Sequence, residues 1–527
     1  MGLRSRRYAV RSRRYAISLL FSLCAGHLAA RGADLRLVQA VERGDKEAVR
    51  ALLAQKVDVN SPQPDGATAL AWAAYRDDLE SADLLIRAGA DPNLANVNGV
   101  TPLALACANR STAMVAKLAQ AGANSNAAQK WSGETAFMTC ARTGSVEAVK
   151  MLLDAGANVN ARETLQEQTA LMWAVAQGHA QVVKLLVDRG ADIHARTKSS
   201  EPLVVGTGFG NAASRFEVPL SHGGFTPLLF AARHGDIEAA KILLDAGADV
   251  NEAATDGMTV LLIAADSGHE DFALFVLERG ANPNVADRNG MTPLHFALVR
   301  GLSVVRGVRF GAMADDVSYI IRPTMPRLVK GLLDHGANPN ARLGRNLPRE
   351  RNSYRPSIRT GGATPFLLAA ATGDVESMRL LAAAGADPLL ATKDDNTTPL
   401  MAAAGGPWLE NRPLDEEQRA LEAVKLAIEL GANVNETNDK GMTALHGAAY
   451  AGANEIVHYL VSKGATVDAK DEVGQTPWTI ASKGLRGDED KVTRPATADL
   501  LVQLGASTLT VPLPPPPRPP GYVAPNQ

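Results

Sequence analysis

The side chains that could do chemistry in this 527-residue chain are few and scattered. Cys107 and Cys140 follow a single earlier cysteine, Cys24. Two thiols could form a disulfide or bind a metal, but an exported protein that relied on disulfides would carry more of them, so plain packing at small buried positions is the expectation. The ten histidines stand singly: His179, His234 and His269 near one kind of turn, His295 and His446 in a second recurring context. None has the grouping of a metal-ligand set. No serine lies in a nucleophile-elbow context, and no carboxylate pair stands apart from the general surface charge. Gly206, Gly208 and Gly210 are spaced Gly-x-Gly-x-Gly. A dinucleotide loop needs Gly-x-Gly-x-x-Gly between a strand and a helix, so these glycines read as a flexible loop. The expectation is a chain with no enzymatic activity, no cofactor and no metal.

Positive charge is concentrated in one place. Between residues 300 and 360, Arg300, Arg306, Arg309, Arg322, Arg327, Lys330, Arg342, Arg345, Arg349, Arg351, Arg355 and Arg359 stand against four acids. Such a field attracts anions: an acidic protein segment, membrane headgroups or a cell-wall polyanion. A solvated loop explains the same composition. Arg342, Arg345, Arg349, Arg351, Arg355 and Arg359 are the anion-binding candidates. The formal net charge of -2 gives no global case for wrapping nucleic acid, and no nucleic acid partner is expected.

These residues are set on elements that recur. The segment DGATALAWAAYRDDLESADLLIRAGADPNLA from Asp65 returns as NGVTPLALACANRSTAMVAKLAQAGANSNAA from Asn98 and DGMTVLLIAADSGHEDFALFVLERGANPNVA from Asp256. The opening Thr appears at Thr68, Thr101, Thr135, Thr169, Thr226, Thr259, Thr292, Thr364, Thr398, Thr443 and Thr476, mostly 33 or 34 residues apart. Thr caps a helix and Pro suits its first position. Alanine pairs such as Ala73-Ala74 and Ala231-Ala232 let neighbouring helices approach. A breaker such as Gly178 or Gly235 precedes an amphipathic second helix, and Gly-Ala-Asp/Asn turns the chain into an exposed finger. One unit cannot bury its own apolar face, so the units must stack, with atypical ends. The Thr-less first unit, residues 34–60, fits such an end.

With TPLHFA at Thr292, TALHGAA at Thr443 and GADVNEA at Gly247, the pattern resembles the ankyrin repeat over about residues 34–508. A tetratricopeptide array shares the period but lacks the Gly-Ala-Asp finger. The resemblance implies an all-α repeat fold, a solenoid of about twelve helix-turn-helix units with β-hairpin-like fingers, whose partner is another protein bound in a concave groove. In the family pattern the residue before the Thr and the two after the alanine pair face that groove. Here they are Phe225, Met258, Met291 and Met442, with Tyr75, Arg76, Arg142, Arg233, His234, Arg300 and Tyr450. They either form an exposed apolar strip or tuck between fingers. Only His295 and His446 keep the family's His after the opening Thr; Ala71, Ala104, Met138, Met172 and Leu229 stand at that place elsewhere and lack the imidazole for the usual side-chain bond.

Residues 1–30 are expected to be a signal peptide, with six arginines, no acid and the apolar run Ala16 to Ala25. Residues 31–508 would then form the repeat domain, with insertions at about 198–222, 302–324, 344–360 and 406–418, and 509–527 a Pro-rich tail that serves as a spacer. Export to the periplasm or outside the cell follows, with no membrane span in the mature chain. The function expected is a protein-binding scaffold; the alternative is envelope tethering, in which the basic 300–360 region docks an anionic surface.

Overall fold

A computed structural model describes residues 34–199, 223–299, 325–344, 361–405, 414–485 and 492–508. Among them are 24 helices in twelve successive pairs, with no strand and only two isolated bridges, Ala128 with Thr135 and Ala253 with Thr259. They fall into two compact units, up to Leu165 and from Gln166.

The first unit holds α1 (Arg36–Arg43), α2 (Lys46–Ala54), α3 (Ala69–Arg76), α4 (Leu79–Arg87), α5 (Pro102–Ala108), α6 (Thr112–Gln120), α7 (Ala136–Thr143) and α8 (Val146–Asp154). The second begins with α9 (Ala170–Ala176), α10 (Ala180–Asp188), α11 (Pro227–His234), α12 (Ile237–Asp245), α13 (Val260–Ser267), α14 (Glu270–Glu278), α15 (Pro293–Val299) and α16 (Pro326–Asp334). It continues with α17 (Pro365–Thr372), α18 (Val375–Ala383), α19 (Pro399–Gly405), α20 (Leu414–Glu429), α21 (Ala444–Ala451), α22 (Asn454–Ser462), α23 (Pro477–Lys483) and α24 (Pro495–Gln503). Odd-numbered inner helices pack on one another and even-numbered outer helices do the same, within each unit. Because α20 starts at Leu414, the outer helix of that repeat begins before residue 418, where the sequence still reads as insertion.

Capping explains why each short helix starts where it does. Thr68, Thr101, Thr135, Thr169, Thr226, Thr259 and Thr364 accept the backbone N–H three residues on, and Asp45, Asp78, Asp236 and Asp374 do the same for outer helices. Each satisfies a donor the helix cannot. The cores are the leucine, valine and alanine faces: Leu70, Leu103, Phe137, Leu171, Leu228 and Phe366 are all but sealed from water.

Neighbouring repeats are also tied at their fingers. Asn93 donates through Nδ2 to the Gly122 carbonyl (3.1 Å) and accepts through Oδ1 from Asn124 N (2.7 Å). Asn60 and Asn126 repeat this in the first unit, and Asn251, Asn284, Asn340 and Asn435 in the second. Each Asn thus satisfies the carbonyl of the left-handed glycine that ends the next outer helix. The corresponding place after Gly385 is taken by Leu389, which is exposed and cannot make the pair.

Candidate functional site

Where two insertions leave the second unit, an arginine closes the finger base. Arg196 Nη1 donates to Gly224 O (2.9 Å) and Ala253 O (2.8 Å), and Arg342 Nη1 to Gly362 O (2.9 Å) and Ala391 O (2.8 Å). Both stand six residues after the finger glycine, a place held by Ala95, Ala128 and Ala286 in three other fingers and by Arg162 in the finger after Gly156. Their stems are closed by backbone bonds, Thr197 N to Phe225 O (3.0 Å) and Leu343 N to Ala363 O (3.0 Å). Arg342, expected as an anion-binding residue, is therefore engaged in the framework. Arg345, Arg349, Arg351, Arg355 and Arg359 lie outside the described residues, as do Arg300 and the Gly206, Gly208 and Gly210 run. Arg327 pairs with Glu270 and Asp271 on the preceding outer helix, which takes it out of a free basic patch.

The groove candidates divide by burial. In the first unit Tyr75 is half-buried, its ring edge-on to Trp72 at 5.6 Å, while Trp72 Nε1 donates to Gln63 (2.9 Å). Arg76 is exposed and donates to the Glu42 carbonyl (2.9 Å), at the end of α1. Arg142 pairs with Glu134 (2.9 Å), which also accepts from the Thr139 hydroxyl (2.6 Å). In the second unit Phe225 is half-buried against Phe230 at 5.6 Å, with the Arg233 guanidinium 5.8 Å from the Phe225 ring. His234 is exposed at the end of α11, and its pKa is lowered, first by partial desolvation and then by Arg233 and His269. Met258 and Met442 are half-buried. Met291, at 7% exposure, and Tyr450, at 4%, are packed away and offer almost no contact surface. Of the two alternatives, Met291 and Tyr450 follow the second and are tucked away, while Phe225, Met258 and Met442 keep part of their surface.

The most exposed large apolar side chains lie elsewhere. Val97 (56%), Trp131 (77%) and Leu165 (58%) sit at three successive finger tips of the first unit, each four residues before its repeat's Thr. Pro64 holds the same place one finger earlier. The tips are joined by single backbone bonds, Val97 N to Asp65 O (2.8 Å), Lys130 N to Asn98 O (3.0 Å) and Thr164 N to Ser132 O (2.7 Å). In the second unit that position carries Thr255, Arg288, Asp394, Asp439 and Glu472. Sequence reasoning missed this row, although counting back four from each Thr would have found it.

Two further differences concern buried chemistry. Cys107 and Cys140 do not merely pack: they are joined by a disulfide across the seam between α5 and α7. The seam is lined by alanine pairs in six of the twelve repeats, and cysteines on its two sides have Cα atoms 4.6 Å apart, within reach of a bridge. His295 and His446 are buried, and each Nδ1 faces the backbone N–H of its capping Thr (3.1 and 3.0 Å). Nε2 therefore carries the proton, and that of His446 donates to Gln475 O (3.2 Å). His295 Nε2 faces the Ala363 and Ala341 carbonyls without a bond of normal geometry. Burial lowers both imidazole pKa values to about 4. Among the described residues no group of three or more His, Cys, Asp or Glu could hold a metal ion, and no helix is long and apolar enough to cross a membrane.

Capped inner helix, amphipathic outer helix and Asn-tied finger recur through both units, and family models for ankyrin repeats match the same stretches: residues 37–129, 123–197, 228–309 and 416–507 as three-copy sets and 361–393 as a single repeat. The chain belongs to the ankyrin-repeat family. Ankyrin repeats mediate protein–protein interaction, and the fold is typically a non-enzymatic scaffold. A putative ankyrin repeat protein of Acanthamoeba polyphaga mimivirus is 31% identical over 96 residues, 18% of this chain and 12% of that protein. Human neurogenic locus notch homolog protein 4 is 31% identical over 165 residues, 28% of this chain and 8% of that one. Human protein phosphatase 1 regulatory subunit 27 is 40% identical over 57 residues, 11% of this chain and 37% of that one. The matches therefore span small parts of these relatives. The crystal structure of the human ASB11 ankyrin repeat domain aligns at a TM-score of 0.37 and 26% identity, covering 47% of this chain and 98% of that one.

Proposed function

We propose that this ankyrin-repeat chain is a scaffold that binds another protein through the finger tips of its first unit and the inner-helix face of its second. The observation that carries the reading is the row Val97, Trp131 and Leu165, large apolar side chains held in water at matching positions of successive tips. Apolar side chains this exposed and aligned mark contact surfaces, and Trp is the side chain most enriched where binding energy concentrates. The Phe225, Phe230 and Arg233 cluster, with Met258 beside it in sequence register, supports a second contact in the concave groove.

The test is affinity capture from envelope extract with the full chain, with Val97→Ser/Trp131→Ser and with Phe225→Ser/Met258→Ser. Loss of a partner with either pair, at unchanged helix content, supports the scaffold and tells which surface holds it. Retention of every partner by both variants would sink it. Tethering to an anionic surface rests on the arginines of the 300–360 region, and would be favoured if capture failed in high salt and on deletion of 344–360. We further propose export, supported by the Arg-rich, acid-free leader and by the disulfide, a bond that persists in oxidising compartments.

A further inference from the structure

Cys107 is the second and Cys140 the first residue of the alanine pair that reads Ala73-Ala74, Ala231-Ala232 or Ala264-Ala265 in other repeats. These are the positions at which consecutive inner helices come closest. Both cysteines are fully buried, and the Thr143 hydroxyl lies 3.1 Å from the Cys107 and Cys140 carbonyls, closing the end of the seam. The bond spans 33 residues, and the finger that carries Trp131 lies inside the closed loop.

We propose that the Cys107–Cys140 bond is a sealed staple rather than a switch: it is made while α5 and α7 are still apart and cannot be exchanged once the first unit has closed. Thiol–disulfide exchange requires a thiolate to reach a sulfur directly, and neither sulfur offers any surface. Formation therefore belongs to folding. The Cys107 thiolate attacks the disulfide of an oxidised thiol–disulfide oxidoreductase or of oxidised glutathione, releasing one donor thiolate. The Cys140 thiolate then attacks the Cys107 sulfur of the mixed disulfide and releases the second. Two thiols of this chain are oxidised, the donor disulfide is reduced to two thiols, and the two protons end on the donor. The stapled interface cannot part, so the third and fourth repeats open only as one body, and the Trp131 finger is fixed between them. This inference does not depend on the scaffold reading.

The experiment uses the full chain purified without reductant. It is exposed to dithiothreitol in native buffer and in urea, and the peptides bearing Cys107 and Cys140 are scored separately for alkylation, since Cys24 has a thiol of its own. The staple predicts no alkylation before reductant, and reduction in buffer slower than in urea by at least about a hundredfold, because it waits for the unit to open. Free thiols in the purified folded chain, or equal rates in buffer and urea, would overturn it. Cys107→Ala/Cys140→Ala restores the alanine pairs of the other repeats and should keep the helix content. Hydrogen exchange of residues 102–154 should then accelerate, and the first unit should melt about 10 °C lower. An unchanged melting temperature would also overturn the staple.

Discussion

His295 and His446 should make the second unit sensitive to mild acid. Both are buried as neutral imidazoles whose Nδ1 accepts the N–H of Thr292 or Thr443, so a proton added to Nδ1 must displace that bond and place a charge in the core. Their folded pKa values are depressed to about 4 from an ordinary 6.5. The sign follows: between these values the unfolded chain binds protons that the folded chain does not. Stability is fully present above about pH 6.5 and falls as the pH drops towards 4. At pH 5 the difference amounts to about 2 kcal/mol for each imidazole, or about 4 kcal/mol for the two. The control is His295→Leu/His446→Met, which installs the residue types found at the same place in other repeats, Leu229 and Met172. Urea unfolding followed by circular dichroism at pH 7.5 and pH 5 then compares the two chains. The native chain should lose about 4 kcal/mol more than the variant over that interval, with the loss confined to the repeats around α15 and α21 in hydrogen exchange. Equal pH dependence in the two chains would refute the assignment of these histidines as the acid-sensitive groups.

Arg196→Ala and Arg342→Ala should each leave two carbonyls without a donor and destabilise the neighbouring repeats by about 1–3 kcal/mol, read as faster hydrogen exchange at residues 224 and 253 or 362 and 391. Lys should not rescue either, because a flexible ammonium lacks the fixed guanidinium plane. Asn126→Ala removes the partner of Gly156 O and Asn158 N and should cost about 1 kcal/mol in unfolding free energy, whereas Leu389→Asn supplies the missing pair and should raise the stability of the second unit. Gly99→Ala should destabilise the first unit by about 1–3 kcal/mol in urea, since φ is +82° there and a Cβ would lie 2.9 Å from Lys130 N.

The fold was legible because its instructions are local and repeated. Thr68 or Thr226 caps a helix through contacts three residues away, and the glycine of each finger needs only its own left-handed backbone; eleven copies of the opening Thr make the period plain. Burial of Met291 and Tyr450 was not legible. The same Thr-relative positions hold the half-buried Phe225 and Tyr75, so sequence position fixes which way a side chain leaves the helix but not what its neighbours leave uncovered. The end of one insertion differs for a related reason: LDEEQRALEA has helical spacing from Leu414 onward, and no Gly breaker of the kind that precedes α8 or α12 marks its start.

The chemistry that sequence reasoning missed is chemistry between repeats. Cys107 and Cys140 look like two unrelated alanine replacements until consecutive repeats are aligned. Position six after one Thr then faces position five after the next, and the small size that permits close packing is also what brings two sulfurs within bonding reach. Arg342 was read by its charge and its many neighbours in sequence, yet its partners are carbonyls 20 and 49 residues away that exist as a pair only once the next finger is in place. Trp131 is the converse: nothing local demands an indole there, and the homologous tips of the second unit manage with Thr, Arg, Asp or Glu. A polar residue meets the framework's needs at that place in the second unit, and this contrast, set beside the half-hidden groove, is the ground on which the finger tips of the first unit are proposed as a contact surface.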